Sequence, residues 1–464
     1  MIPLDHRSRS VFLSTAALWL GLSMCWVQPG SAQAEMLTRE GVHLRLTSDV
    51  ANEATLDEFV SSFDAAVPQW CEFWGVPTSQ ISRWKIDGYL MRDESTFRSM
   101  GVLPANVPKF RYGFASPAAI WIHQQSTAHS NRHLILHEGV HALAIKLFGG
   151  GGPSWYMEGT AELLATHRDR QVDSSARPAG LLAQASNRFL INDLPQTRQE
   201  SPMWGRYRVV DEARHAQRLP TLASVMKLPI NLAGEVESYT WCWAAALMLT
   251  HYPDTREVFI KAARNGSDQT PAFTTKVYRQ LQQQWPVIRA RWQLWLNDLE
   301  YGFDPESSQV ELSVDDPRYN NTRLTSSIDS KLGWQSMGAW FNKGTRLKIQ
   351  GTGSCVIVDE NSVATDADDL SQTRDWTSGP DGVTVKYHRG QPIGQLQWCV
   401  LPIPSPEAKS LSPLEIGSVS SNETVIVEIK KPSWLLFRIH DIPGHNGRYQ
   451  RSDNRGSYEV VVSP

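Results

Sequence analysis

The stretch His133-Leu134-Ile135-Leu136-His137-Glu138-Gly139-Val140-His141-Ala142-Leu143-Ala144-Ile145-Lys146-Leu147-Phe148 decides how this chain is read. It is mostly apolar, holds no proline and predicts one continuous, largely buried helix. On that helix His137 and His141 stand at i and i+4, one turn apart on one face, the separation that two ligands of a single Zn²⁺ require. Glu138 sits beside that face, placed to take a proton from water at a metal. Imidazoles and a carboxylate inside so apolar a run need a partner, and a metal ion is one. Five residues of this kind also arise by chance, so the stretch that follows carries as much weight. Gly149 to Gly152 and Pro153 stop the helix and reverse the chain. Ser154 is then the expected N-cap of a second helix over 155–165, on which Glu158 and Glu162 share a face. A helix-loop-helix can set that face against the two histidines. The plainer reading is two solvated acids near a helix start.

Together HEGVH and WYMEGTAELLA resemble the gluzincin (thermolysin-like) zinc peptidases, and most closely the peptidase MA-like families of uncharacterised secreted proteins. The resemblance implies an α+β thermolysin-like domain over about residues 35–300, with His137, His141 and Glu158 as zinc ligands and Glu138 as the general base. It implies Glu162 as a supporting acid that orients a ligand histidine. A metzincin is excluded, because its third histidine would fall on Leu147. The same resemblance makes Ala119 to His123 the strand edging the cleft, where it can pair with a substrate backbone. His123 itself reads more readily as structural. Tyr239 has two readings, an oxyanion-stabilising group near the metal or a ring packed among tryptophans. Ser116 to Gln125 contains no acid to anchor a substrate amine, which favours endopeptidase over aminopeptidase action.

The N-terminus reads as an export signal: Arg7 and Arg9, an apolar run from Val11 to Val27, and a small-x-small cleavage site at Ala32-Gln33-Ala34. The run is short for a membrane span, so a secreted or extracytoplasmic protein starting at Glu35 and lacking a stable membrane span is expected. Removing residues 1–34 leaves 43 Lys and Arg against 47 Asp and Glu, a mild acidity that gives no electrostatic case for nucleic acid. Cys71, Cys242, Cys355 and Cys399 remain. The economical pairing is Cys71 with Cys242 and Cys355 with Cys399, out of three possible pairings, with buried free thiols as the alternative.

Composition changes near residue 300. Helical patterns precede it, including Leu56 to Trp74 broken at Pro68 and Thr275 to Leu299 interrupted at Pro286. Short β-type runs separated by turn residues follow it. The expected organisation is a signal over 1–34, a peptidase domain over 35–300, a linker over 301–325 and a β-sandwich over 326–464. The last part is similar to the PA-I type of galactophilic lectin, through Trp334-Gln335-Ser336-Met337-Gly338, Lys343 to Ile349, Gly394-Gln395-Leu396, Leu436 to Asp441 and Ser452 to Ser457. That resemblance implies a Ca²⁺ held by Asp441, Asp453 and Asn454, all with hard oxygen donors, and glycans as a second class of partner. The sequence departs from that family at His440, where asparagine is usual, and in the longer connection from Ile442 to Ser452. A plain sandwich whose Asp and Asn make turns is the other reading. Two functions follow: a secreted zinc peptidase acting on protein or peptide, or a carbohydrate-binding protein with a structural metal site.

Overall fold

Leu44, Leu46, Ile86, Leu90, Ile120 and Ile122 recur at strand spacing and are buried, which places their strands at the centre of a sheet. The computed structural model describes residues 36–50, 52–169, 189–191, 194–195, 205–232, 234–359, 374–443 and 450–464. The export segment read in residues 1–34 lies outside them. Strands β1 (Leu37–Glu40), β2 (Leu44–Ser48), β3 (Ile86–Met91), β4 (Gly113–Ala115) and β5 (Ala119–His123) form one sheet in the order β1-β2-β3-β5-β4. The middle three are parallel, and β1 and β4 are antiparallel edges.

The helices are α1 (Glu53–Trp74), α2 (Glu94–Ser99), α3 (Ala128–Phe148), α4 (Ser154–Ala165), α5 (Gly205–His215), α6 (Leu222–Val225), α7 (Val236–His251), α8 (Pro253–Ala262), α9 (Pro271–Leu281) and α10 (Trp285–Asp298). None is long and apolar enough to cross a membrane. Helix α1 is capped by the Asn52 side chain and by Gly75 at φ 63°, and it buries Phe59, Phe63, Val67 and Trp70. It runs unbroken through Pro68, where the sequence suggested a break, because packing along this face outweighs one missing N–H. Pro286 instead lies at the start of α10, where a missing N–H costs nothing. Helix α4 lies between α3 and α7. The approach to α7 requires Gly159, since a Cβ there would stand 2.5 Å from the Cys242 carbonyl oxygen.

Short strands β6 (His167–Asp169) and β7 (Phe189–Ile191) pair beside this helical layer. The C-terminal part comprises β8 (Leu324–Asp329), β9 (Gln335–Phe341), β10 (Arg346–Asp359), β11 (Arg374–Ser378), β12 (Val383–His388), β13 (Gln391–Ile393), β14 (Leu396–Pro402), β15 (Glu415–Val419), β16 (Val425–Glu428), β17 (Ser433–Ile439) and β18 (Arg455–Ser463). One sheet runs β11-β10-β18-β8 with β16 also on β10, and a second runs β15-β14-β17-β9. Phe341, Ile349, Ile357, Leu396, Phe437 and Tyr458 fill the space between them.

The second sheet is buried on both faces at its centre: every residue of β17 is buried. Its outer face carries Cys399, Leu401, Trp434 and Leu436, which pack with Val287, Ala290 and Leu294 of α10. Residues 36–464 therefore form one compact unit. The segment 301–325 contributes Val310 and Leu312 to the shared cluster. The four cysteines are separate buried thiols, so neither expected disulfide forms. Cys355 faces the sandwich interior and donates to the Tyr458 hydroxyl at 3.2 Å, whereas Cys399 belongs to the α10 side. Cys71 and Cys242 sit on separate helices of the first core.

One buried ion pair crosses the same boundary. Arg438 on β17 donates to Asp298 at the end of α10 at 2.9 Å, with its guanidinium 4.2 Å from the Trp334 ring centre. Burial alone would raise the Asp298 carboxyl, but Arg438, Arg451 and Arg389 hold it down to about 2. Its contribution is thus complete above the unfolded-state value of about 3.9 and disappears as pH falls through the folded value. Asp298→Ala leaves a buried guanidinium unpaired and should lower stability by about 3–5 kcal/mol. Urea denaturation at neutral pH checks this, and the gap between variant and wild type should close between about pH 4 and 2.

Candidate metal centre

Thr127 caps α3 by accepting the Ser130 N–H at 3.0 Å, and Gly149 ends it at φ 74°. The turn to α4 needs Gly152 at φ 78°, whose N–H bonds the Gly266 carbonyl at 2.7 Å. Pro153, not Ser154, occupies the N-cap of α4; the Ser154 hydroxyl donates to the Ile230 carbonyl at 2.5 Å instead. This reversal lays α4 against α3 and turns Glu158 and Glu162 toward the histidines.

Three donor atoms converge. His137 Nε2 and His141 Nε2 are 3.0 Å apart, and Glu158 Oε2 lies 3.2 Å from the first and 3.3 Å from the second. A tetrahedral zinc with nitrogen and oxygen ligands at about 2.0–2.1 Å separates any two of them by about 3.3 Å, so the triangle matches one face of such a tetrahedron. Glu158 Oε2 is buried and accepts no hydrogen bond. A buried carboxylate oxygen facing two imidazole nitrogens fits a cation. Burial would raise the Glu158 carboxyl, yet His141 and His137 bring it down to about 2. Burial would conversely lower His137, and the surrounding Glu158, Glu162 and Glu138 carry it up to about 9. Both shifts describe a site arranged for positive charge.

The surroundings are equally specific. Glu162 Oε1 stands 3.5 Å from His137 Nδ1 without hydrogen-bonding it, on the side of the ring where a carboxylate orients a metal-binding histidine. Glu162 is itself held by Arg206, which contacts Oε1 through one terminal nitrogen and Oε2 through Nε at 3.2 Å, and by His133 Nε2 at 3.2 Å. Burial would raise Glu162, but Arg206 and His133 keep it well below the usual carboxylate range. Neither Arg206 nor His133 was evident as a site residue in the sequence. His133 could have been noticed one turn before His137, while Arg206 has no local signal.

Glu138 is buried, which pushes its carboxyl upward. It faces Gly113 on β4 so closely that a Cβ there would overlap its carboxylate. The strand bordering the centre is therefore β4. The strand expected to edge the cleft, Ala119 to His123, is interior, between β3 and β4. His123 lies against the Phe110 ring with its Nε2 3.6 Å from Glu94, a structural position. The Tyr239 ring centre is 6.2 Å from that of His137, and burial together with Glu158, Glu138 and Glu162 raises its phenol.

In the C-terminal sheets, Asp441 and Asn454 come together but are buried. Asn454 Nδ2 donates to Asp441 Oδ2 at 2.8 Å and to the Ser330 carbonyl at 3.2 Å, and its oxygen accepts from Val358 N at 3.1 Å. Asp441 Oδ1 accepts from Ile442 N at 2.7 Å. Each of these polar groups thus has a protein partner. Asp453 lies half-buried in the short turn Gln450–Asp453 just before Asn454.

No family model and no curated protein matches the chain. A solved structure described as IMPa metallopeptidase in complex with T-antigen aligns at 14% identity and TM-score 0.15, covering 83% of this chain and 38% of that one. IMPa from Pseudomonas aeruginosa in complex with an O-glycopeptide aligns at 13% and 0.16, covering 90% and 46%. The chain thus spans less than half the length of either metallopeptidase. Likeness this weak carries no argument, and the centre is interpreted from its own atoms.

The centre should bind one zinc per chain, measured by atomic emission on dialysed protein. Glu158→Ala should remove most of the metal. Arg206→Ala, which frees Glu162, should weaken it by about 10–100-fold in a chelator competition.

Proposed function

We propose that this chain is an exported zinc-dependent peptidase of the gluzincin type, acting as an endopeptidase. The observation that carries the reading is the triangle of His137 Nε2, His141 Nε2 and Glu158 Oε2, with Glu138 beside it and an open strand edge next to Glu138. A zinc held by those three residues would supply Lewis acidity to a carbonyl and make water at the site more acidic. Glu138, buried next to His137, is the carboxylate assigned to act on water there. It takes one proton as the water oxygen adds to the scissile carbonyl, and returns a proton to the nitrogen as the C–N bond breaks. Burial raises its carboxyl above the ordinary value, which makes it a stronger base than a solvated carboxylate.

Substrate orientation follows from β4. Phe114 is paired with Trp121 of β5, and no strand occupies the opposite edge among the described residues. Alternation leaves the N–H and C=O groups of Gly113 and Ala115 pointing outward, so an extended peptide can add as the next strand. The absence of a side chain at Gly113 lets that backbone lie close to Glu138. Tyr239, kept protonated by burial and by three carboxylates, is an O–H donor for the negative charge developing on the carbonyl oxygen. Export rests on the N-terminal pattern of residues 1–34.

Glu138→Gln should retain zinc and lose about 10²–10⁴-fold in peptide hydrolysis. Tyr239→Phe should lower kcat by about 10²-fold with KM little changed. Initial rates on an unstructured protein substrate, run beside zinc analysis, decide it. Wild-type cleavage by zinc-loaded Glu138→Gln sinks the mechanism.

A further inference from the structure

Beside the metal centre lies an open cavity of about 330 Å³ between α3, α5, β6 and the first turn of α7. Each of three walls carries a residue of the centre one step away. His133 precedes His137 by one helical turn, Val236 precedes Tyr239 by one turn, and Tyr112 is followed by Gly113, the residue against Glu138. A peptide lying on β4 with its scissile bond at the centre would bring a flanking side chain toward this space.

The chemistry of the wall is one-sided. Arg206, Arg208, Gln125, Ser130, His129 and His133 line it, and among the described residues no Asp or Glu does. Arg206 is committed to Glu162, and Arg132 behind the wall is committed to Glu58 at 2.6 Å. Arg132 Nε also donates to His167 Nε2 at 2.9 Å, so His167 carries its proton on Nδ1, donates it to the Ala165 carbonyl at 2.8 Å and is neutral. Burial keeps His129 neutral as well, bringing it down to about 3. The lining cation with no buried partner among the described residues is Arg208. Its side chain is 77% exposed, and its contact with Glu212 is a 3.5 Å surface pair of little energetic value. A long, mobile guanidinium over a wall of hydrogen-bond donors suits a carboxylate. The space exceeds one acidic side chain and leaves room for waters at about 30 Å³ each.

We infer that this cavity is a specificity subsite for an acidic side chain, Asp or Glu, next to the scissile bond, with Arg208 as its counter-charge. The inference rests on the peptidase reading above. Peptides differing only in Glu, Gln, Lys or Phe at the positions flanking the cleaved bond test it. At one flanking position kcat/KM should favour Glu over its isostere Gln by about two- to fivefold, the size of one solvent-exposed ion pair. The ratio should fall toward one in Arg208→Gln, and Arg208→Glu should invert the order of Glu and Lys. Equal rates for Glu and Gln, or a preference for Phe that ignores Arg208, would overturn the subsite. Calorimetry of the same peptides on zinc-loaded Glu138→Gln separates the two readings. Glu-selective binding that depends on Arg208, with no hydrolysis by wild type, leaves the subsite standing and removes the peptidase. Hydrolysis by wild type together with no Glu selectivity in binding does the reverse.

Discussion

Three electron-pair donors held 3.0–3.3 Å apart in a buried place are the constraint on which the rest of this structure depends. Two imidazoles and a carboxylate gain nothing by converging unless positive charge lies between them, because each has been taken from water. The helical layer is arranged to keep them there. The glycine turn after α3 gives α4 its direction, and Gly159 allows α4 and α7 to approach until Cys242 and the α4 backbone are nearly in contact. Gly139, on the far side of α3, leaves no room for a Cβ beside Phe63 and Trp70. Small residues where helices cross convert a short motif into a rigid position.

Around that triangle, charge is arranged in layers. Glu162 supports His137, Arg206 and His133 support Glu162, and each partner offsets the desolvation of the next. Glu138 differs from the other two carboxylates. His137 and His141 lower it less than burial raises it, so it moves up while Glu158 and Glu162 move down. Three glutamates within one small volume thus acquire two roles, two fixed as anions and one able to change its protonation.

The C-terminal sheets take part in the same economy of burial. A β-sandwich joined by a tether would expose one face of each sheet, yet β14 and β17 are buried on both sides, and α10 covers the outer one. Arg438 and Asp298 add a directional contact across that boundary, costly to disrupt from either side. The segment that reads as a linker is drawn into the cover because Val310 and Leu312 are needed to complete it.

What the sequence determined by itself was local. The i, i+4 spacing of His137 and His141, the glycine-proline reversal and the shared face of Glu158 and Glu162 are short-range and periodic, so helix geometry alone predicts them. The β-rich character after residue 300 and the strand ending at His123 were legible for the same reason. Only the tertiary structure decided which strand borders the centre, since Gly113 to Ala115 is too short to show a period and edge position depends on pairing order. It decided that Arg206 anchors Glu162, that the cysteines face different cores, and that Asp441 and Asn454 bond each other in a buried corner. Such contacts join residues far apart in the chain, and nothing in their neighbours' spacing records them.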